Sequence, residues 1–247
     1  MKEREIYAGL RTIAPFFVRV DGRNFRHTLE LLSREQPHDL AFAQSMAAAS
    51  EMLVRRSGLS VELVFAFSDE ANALFLETPF DGRVEKLDSV VASFFASAVT
   101  LKLMPEPPLA FDARVIPMGR EDVLRYLEWR QNEAWRNHLH AHTYYFLRRG
   151  GKSARAAHAQ LLGMDAKQMH ELAFSHGVNL AKTPSWQRRG ILIHREIFEK
   201  KGIDKQGRHV SARRSRVVQD WDVPLFKSAE GREMLRGLAG LDTDKYQ

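Results

Sequence analysis

Apolar and polar positions divide the first 150 residues into seven segments. Residues 16–20, FFVRV, form an apolar run too short for a helix that stops at Asp21-Gly22, which predicts a buried strand. Over 41–54, Phe42, Met46, Ala49 and Leu53 recur at helical spacing, and Gly58 follows as a stop signal. Residues 61–67, VELVFAF, predict a second strand and ALFLE at 73–77 a third. The polar Ser68-Asp69-Glu70 between them predicts a hairpin turn. Leu87, Val90, Val91, Phe94, Ala98 and Leu101 then make one apolar helical stripe, ended by PEPP at 105–108 because proline supplies no amide donor. Residues 111–116, FDARVI, predict a fourth strand. A long helix from 121 to 148 follows, closed by Gly150-Gly151.

The order β-α-β-β-α-β predicts an α+β, ferredoxin-like palm, an antiparallel sheet with helices on one face. Beyond Gly151 the pattern changes. Two short helices (153–163 and 166–176), a strand at 190–196, a basic hairpin around 202–217 and a tail helix at 228–241 are expected. The predicted division is a palm-like catalytic domain over 1–149 and a C-terminal extension over 150–247 packed on it.

Composition narrows the chemistry. The chain of 247 residues has no cysteine, which excludes disulfides, thiolate metal sites and cysteine nucleophiles. No signal pattern opens it and no apolar run is long enough to span a bilayer, so a soluble cytoplasmic protein is expected. The net charge of +6 leans toward a polyanionic partner. That charge is concentrated. Residues 182–216 hold Lys182, Arg188, Arg189, Arg195, Lys200, Lys201, Lys205, Arg208, Arg213, Arg214 and Arg216 against Glu196, Glu199 and Asp204. Such a one-signed patch predicts contacts to an RNA backbone, with Arg214 and Arg216 on one face of a strand. Trp186 is expected to stack on an RNA end that Arg188 and Arg189 clamp.

Asp21 and Asp69 stand where two predicted strands end, and neighbouring strands would make them converge. Two carboxylates suit Mg²⁺, which prefers oxygen donors. Each alone is also an ordinary turn residue, and the residues by themselves leave both readings open. Glu70, one position on, is expected on the opposite face from Asp69. Gly22-Arg23-Asn24-Phe25 is expected to offer backbone amides and a guanidinium to phosphate, without a P-loop signature. Arg130, Asn137 and Tyr144 share one helix face, where Arg130 could grip a phosphate; the competing reading is a solvated face of scattered charges with Trp129 and Trp135 as core. His138 and His142 share a face but no third ligand is evident, so no zinc site is expected.

The words VRVDGRNF (18–25), PHD (37–39), FSDE (67–70), VASFFAS (91–97), FDAR (111–114) and YLEWRQNEAWRN (126–137), in this order, resemble the tRNA(His) guanylyltransferase family, including its archaeal and bacterial Thg1-like branch. The weaker stretch from 171 to 196 also fits. The resemblance implies a polymerase-like palm that adds nucleotides 3′-to-5′. A nucleoside triphosphate activates the tRNA 5′ end, and the 3′-hydroxyl of an incoming nucleotide then attacks. It implies two Mg²⁺ ions on Asp21, the Gly22 carbonyl and Asp69, with Asp21, Asp69 and Glu70 catalytic and GTP and ATP as substrates. Nucleotide contacts would come from Gly22, Arg23, Asn24, Phe25, Arg26, Ser68, Arg83 and Lys86, with Asp39 at the incoming base. Contacts to tRNA would come from Arg130, Arg136, Asn137, Arg188, Arg189, Arg213, Arg214 and Arg216. The expected partners are tRNA(His) and 5′-truncated tRNAs, and the expected assembly is a homodimer or homotetramer. The chain departs from the eukaryotic pattern at Arg26, Gln36 and the Trp135–His138 tetrad, as the repair-type branch does. A palm-fold nucleotide cyclase and a non-catalytic tRNA-binding protein remain as other readings of the same core.

Overall fold

β1 (Phe16–Gly22) buries Phe16, Val18 and Val20 on one face and Phe17 on the other, and lies inside a six-stranded sheet. A computed structural model describes residues 1–31, 36–106, 108–203 and 206–241. After β1 come α1 (Phe25–Leu31), α2 (Leu40–Arg56), β2 (Val61–Phe67), β3 (Glu70–Phe75), α3 (Val84–Leu103), β4 (Phe111–Pro117) and α4 (Asp122–Arg149). The rest holds α5 (Ala154–Leu162), α6 (Ala166–Ser175), α7 (Ser185–Arg189), β5 (Ile191–Ile203), β6 (His209–Asp220) and α8 (Ala229–Leu238). The sheet order is β4-β1-β3-β2-β5-β6 with every neighbour antiparallel, so its first four strands have the ferredoxin-like order.

Strand alternation sends side chains two ways. Phe16, Val18 and Val20 meet Val64, Ala66, Ala71, Ala73 and Phe75 under α2 and α3. Phe17, Leu63, Phe65 and Leu74 point to the other face. There α4 covers them with Val123, Tyr126 and Leu127, helped by Phe226 and by Leu235 of α8. The two helices of the β-α-β-β-α-β unit thus share one face, and α4 supplies a second layer. The second layer is required because β2 and β3 are buried on both sides, Glu62 alone excepted. A third cluster joins the end of α4 to α5 and α6 through Leu139, Phe146, Leu147, Ala157, Leu161, Met169 and Ala173.

The basic hairpin is longer than the sequence predicts. β5 pairs with β2 only over Ile191–His194, while β5 and β6 stay paired from Leu192↔Asp220 out to Ile203↔His209. Beyond β2 the arm carries charged residues on both sides and little apolar alternation, so periodicity marks only its root. The short α1 and α7 also lack a readable period.

Asp88 of α3 lies against β4. Burial pushes its carboxyl up to about 6, while a hydrogen bond to the Val115 backbone opposes the shift, and its Oδ1 has no partner. A raised carboxyl favours the folded state while protonated. That contribution is lost as pH rises from the ordinary aspartate range through about 6. Asp88→Asn is therefore expected to raise the melting temperature at pH 8 by ~2–4 °C, with the gain vanishing near pH 4. Melting curves of both proteins across that range check it.

Candidate active site

The register of β1 decides what stands together. Asp21 faces Glu70 on β3 and Asp112 on β4. Directly opposed residues of neighbouring strands project to the same face, so three carboxyl groups line one end of the sheet on the α4 side. Asp69 arrives from the two-residue turn that joins β2 to β3, where Phe67 pairs with Glu70 and Ser68 takes φ +50°. The Ser68 hydroxyl donates to Asp69 Oδ1 at 3.0 Å. The Gly22 amide donates to the Asp69 carbonyl at 3.0 Å. A β-carbon on Gly22 would sit 2.9 Å from Asp69 Cβ and collide with the Phe25 ring. Only glycine lets the turn come this close. Asp21, Gly22 and Asp69 are thus brought together, with Asp112 as an addition that the sequence reading missed. FDAR was visible as a word, and its Asp112 is marked by the same alternation that marks Asp21.

Burial is the main cause that raises the Asp21 carboxyl, and the charge of Asp112 raises it further; Arg114 and Arg19 pull it down. Arg114 is itself engaged, donating to Asp112 at 2.7 Å. The Asp21 carboxyl, whose ionisation is resisted by burial and by the neighbouring Asp112 charge, suits a hard divalent cation, which would remove both penalties.

Glu70 stands on the Asp21 face and is only 7% exposed. Arg130, 6% exposed, binds it through both nitrogens of the fork, Nε at 2.9 Å and Nη2 at 2.7 Å. Burial raises the Glu70 carboxyl and Arg130 draws it back down. Asn72 donates to Glu70 Oε1 at 2.8 Å and accepts from the Tyr126 hydroxyl at 2.6 Å. Burial also pushes the Tyr126 phenol well up. The expectation that Arg130 faces tRNA is corrected: its guanidinium is directed inward and used. Trp129, which only the competing reading placed in the core, is 47% exposed and covers Arg130 at 4.3 Å from its ring centre. Gln131 accepts from the Phe226 amide at 2.8 Å and donates to the Pro224 carbonyl at 3.0 Å. Arg130 and Gln131 therefore fasten α4 to β3 and to the Pro224–Phe226 segment, and Trp129 covers the guanidinium from the same helix.

The expected phosphate contacts divide. The Gly22 and Arg23 amides donate to the Asp69 and Ala110 carbonyls, so neither is free to cradle an anion. Arg23, Asn24 and Ser68 are exposed beside the carboxyl groups. Phe25 is core, packed between Phe42 and Phe111. The side chain of Arg26 lies outside the described residues. Asp39 caps α2, accepting from the Phe42 amide at 2.6 Å. Arg83 and Lys86 are not brought to Asp21. They open α3 at the opposite end of the sheet, where Gly82 bonds Thr12 and Val84 bonds Leu10, a strand length of about 20 Å away.

Among the expected tRNA contacts, Arg214 and Arg216 do share a face, opposite Phe198 and Glu196. Arg216 donates to Glu196 at 2.6 Å, and Arg213 stands on the other face opposite Glu199. Arg188 and Arg189 donate to the Thr183 and Val223 carbonyls and, with Gln131, Trp135 and Lys227, line a cleft of 230 Å³. Trp186 is not offered for stacking. It packs against the main core, edge-on to Trp221 at 6.0 Å. Arg136 and Asn137 are exposed on α4, Arg136 paired with Glu133 at 3.0 Å. The third histidine that the sequence did not reveal is His38, whose ring lies against His138 and His142.

A family model described as tRNAHis guanylyltransferase matches residues 1–119, and one described as Thg1 C terminal domain matches 121–223. The chain belongs to the tRNA(His) guanylyltransferase family. The guanylyltransferases of this family are nucleotidyltransferases. The tRNA(His) guanylyltransferase 1 of Arabidopsis thaliana is 28% identical over 213 residues, 81% of this chain. This chain spans only 37% of that relative's length. The probable tRNA(His) guanylyltransferase of Bos taurus is 28% identical over 225 residues, 81% of this chain and 74% of that one. Among solved structures, a bacterial Thg1-like protein in complex with ATP superposes with a TM-score of 0.74 at 23% identity, covering 96% of each chain, and so shares the fold. The Saccharomyces cerevisiae enzyme of the family gives 0.63 at 26% identity over 74% of this chain and 88% of its own. The two family models meet between β4 and α4.

Arg130→Ala leaves the Glu70 carboxylate buried without its partner and is expected to cost about 3–5 kcal/mol in urea unfolding. The double change Glu70→Leu with Arg130→Met is expected to recover most of that loss.

Proposed function

We propose that this chain is a Mg²⁺-dependent nucleotidyltransferase that extends the 5′ end of tRNA in the 3′-to-5′ direction. The observation that carries this reading is the convergence of Asp21, Gly22 and Asp69 at one end of the sheet in a member of this family. In this reading the palm, residues 1–149, performs the chemistry and residues 150–247 hold tRNA. Mg²⁺ would be held by the Asp21 and Asp69 carboxylates and the Gly22 carbonyl. Bound there, it supplies charge neutralisation for the triphosphate and its leaving pyrophosphate.

The chain's own residues supply position. Asp112 adds negative charge beside Asp21 and strengthens the pull on a cation. The Glu70–Arg130 pair fixes the start of β3, and with it the turn that carries Asp69. Arg23, exposed next to Gly22, is placed to bind a phosphate in fork geometry. Arg214 and Arg216 offer cations to the RNA backbone. GTP and ATP as substrates are supported by a bacterial Thg1-like protein solved with each of them. Residues Arg26, Gln36 and Trp135–His138 support repair of 5′-truncated tRNAs over strict addition of one G to tRNA(His). A homodimer or homotetramer is the assembly this reading carries. No described helix is long and apolar enough to cross a membrane.

The test incubates the protein with ATP, GTP, Mg²⁺ and either intact or 5′-truncated tRNA(His). Extension of the truncated RNA is expected, and no extension of any tRNA overturns the proposal. Asp21→Ala and Asp69→Ala should each lower the rate more than about a thousandfold, over ~4 kcal/mol of barrier, with tRNA binding retained. Near-wild-type turnover in either removes the metal pair. Arg214→Ala with Arg216→Ala is expected to weaken tRNA binding and to lower its salt dependence by ~1–2 counterions, read from filter binding at several salt concentrations.

A further inference from the structure

We propose that His38, His138 and His142 form a second metal site, for a transition-metal dication of the zinc class, which ties the loop before α2 to α4. His138 and His142 lie one helical turn apart on α4, and His38 enters from the loop at 36–39. One ligand nitrogen from each residue lies within 4.8 Å of the other two. Nδ1 of His138 and Nε2 of His38 are 3.0 Å apart. In a tetrahedral zinc site with Zn–N near 2.0–2.1 Å, ligand nitrogens are about 3.3 Å apart, so this pair is already at coordination spacing.

The surroundings set the histidines as ligands. The Thr183 hydroxyl donates to the Leu180 carbonyl at 2.8 Å, and Nε2 of His138 lies 3.0 Å from the same oxygen. A hydroxyl whose proton is already given must accept from Nε2–H. That leaves the lone pair of His138 Nδ1 facing His38, the kind of outer contact that orients a metal-bound imidazole. His142 Nε2 is buried with no partner. A hydrogen bond between His38 and His138 satisfies two rings and leaves His142 unpaired, whereas one cation satisfies all three. Burial first, and neighbouring histidine or arginine charge second, push His38 down to about 3, His138 to about 2 and His142 to about 4, so all three rings are neutral and able to ligate. Trp135, Trp186 and Phe146 wall the cluster with rings. Three imidazoles suit zinc, copper and nickel and suit Mg²⁺ poorly, which separates this site from the carboxyl site.

The site has a mechanical role. Arg149 of α4 already donates to the Gln36 carbonyl at 3.0 Å. A cation on His38 gives the loop a second fastening, next to Asp39 at the start of α2. The site therefore acts on where that loop sits and takes no part in bond making at the carboxyl groups.

The experiment uses the untagged full chain, stripped with chelator, without nucleotide or tRNA. Zn²⁺ is titrated against a chromophoric chelator, and Co²⁺ is followed by its visible absorption. One tight equivalent with a tetrahedral Co²⁺ spectrum is expected, unaffected by excess Mg²⁺ and retained in Asp21→Ala, so its failure is distinct from failure of the nucleotidyltransferase reading. His38→Ala and His142→Ala should weaken zinc binding at least a hundredfold, and His140→Ala and His158→Ala should leave it unchanged. Thr183→Val, which removes no ligand but takes away the hydroxyl that orients His138, should weaken it about 10–100-fold and covers the case in which a histidine variant misfolds. Absence of a tight equivalent, or wild-type affinity in His142→Ala and Thr183→Val, overturns the site.

Discussion

A buried ion pair holds the two layers of this molecule in register. Glu70 begins β3 and Arg130 sits in the first third of α4, and neither is left in water. Two charges at that depth carry a desolvation cost that only fork geometry and further hydrogen bonds offset. Asn72 and Tyr126 provide those bonds, and Trp129 closes the guanidinium from outside. An apolar contact would tolerate sliding between helix and sheet, but this pair fixes one arrangement. The turn carrying Asp69 ends one residue before Glu70, so its place is set from the same anchor.

The carboxyl groups beyond the anchor show how sheet geometry makes a site from scattered residues. Asp21, Glu70 and Asp112 come from three strands and share a face because their Cα atoms are opposed. Arg130 neutralises one of them, and Arg114 attends another. Asp21 is left between them in a half-buried position where its charge is resisted. This end of the sheet thus holds a carboxyl tied to an arginine of α4 beside one, Asp21, that the proposed function assigns to chemistry.

Much of the core was legible in the sequence because its strands and helices carry clean periods. FFVRV, VELVFAF and the Leu87–Leu101 stripe all mark elements that formed. That Asp21 and Asp69 reach the same end of the sheet was legible from strand order. Other features depend on contacts between distant segments, which no local period encodes. Arg130 reads as a surface cation until Glu70 is found 60 residues away, and His38 lies 100 residues from His138. Arg83 and Lys86 were misplaced because a family word fixes neighbours along the chain but not the end of the sheet at which a helix begins.

The basic arm has a consequence of its own. Its root is a strand of the palm sheet, bonded to β2 at Ile191–His194, and the same strand runs on without a break to Ile203. The outer nine residues extend about 30 Å at strand rise. No flexible tether stands between the arm and the turn at Ser68-Asp69, since β2 leads directly into that turn. The arm is in effect a caliper jaw cast in one piece with its anvil. The cations of the arm are thereby held at a set distance from that turn, because one unbroken strand carries both the root and the tip.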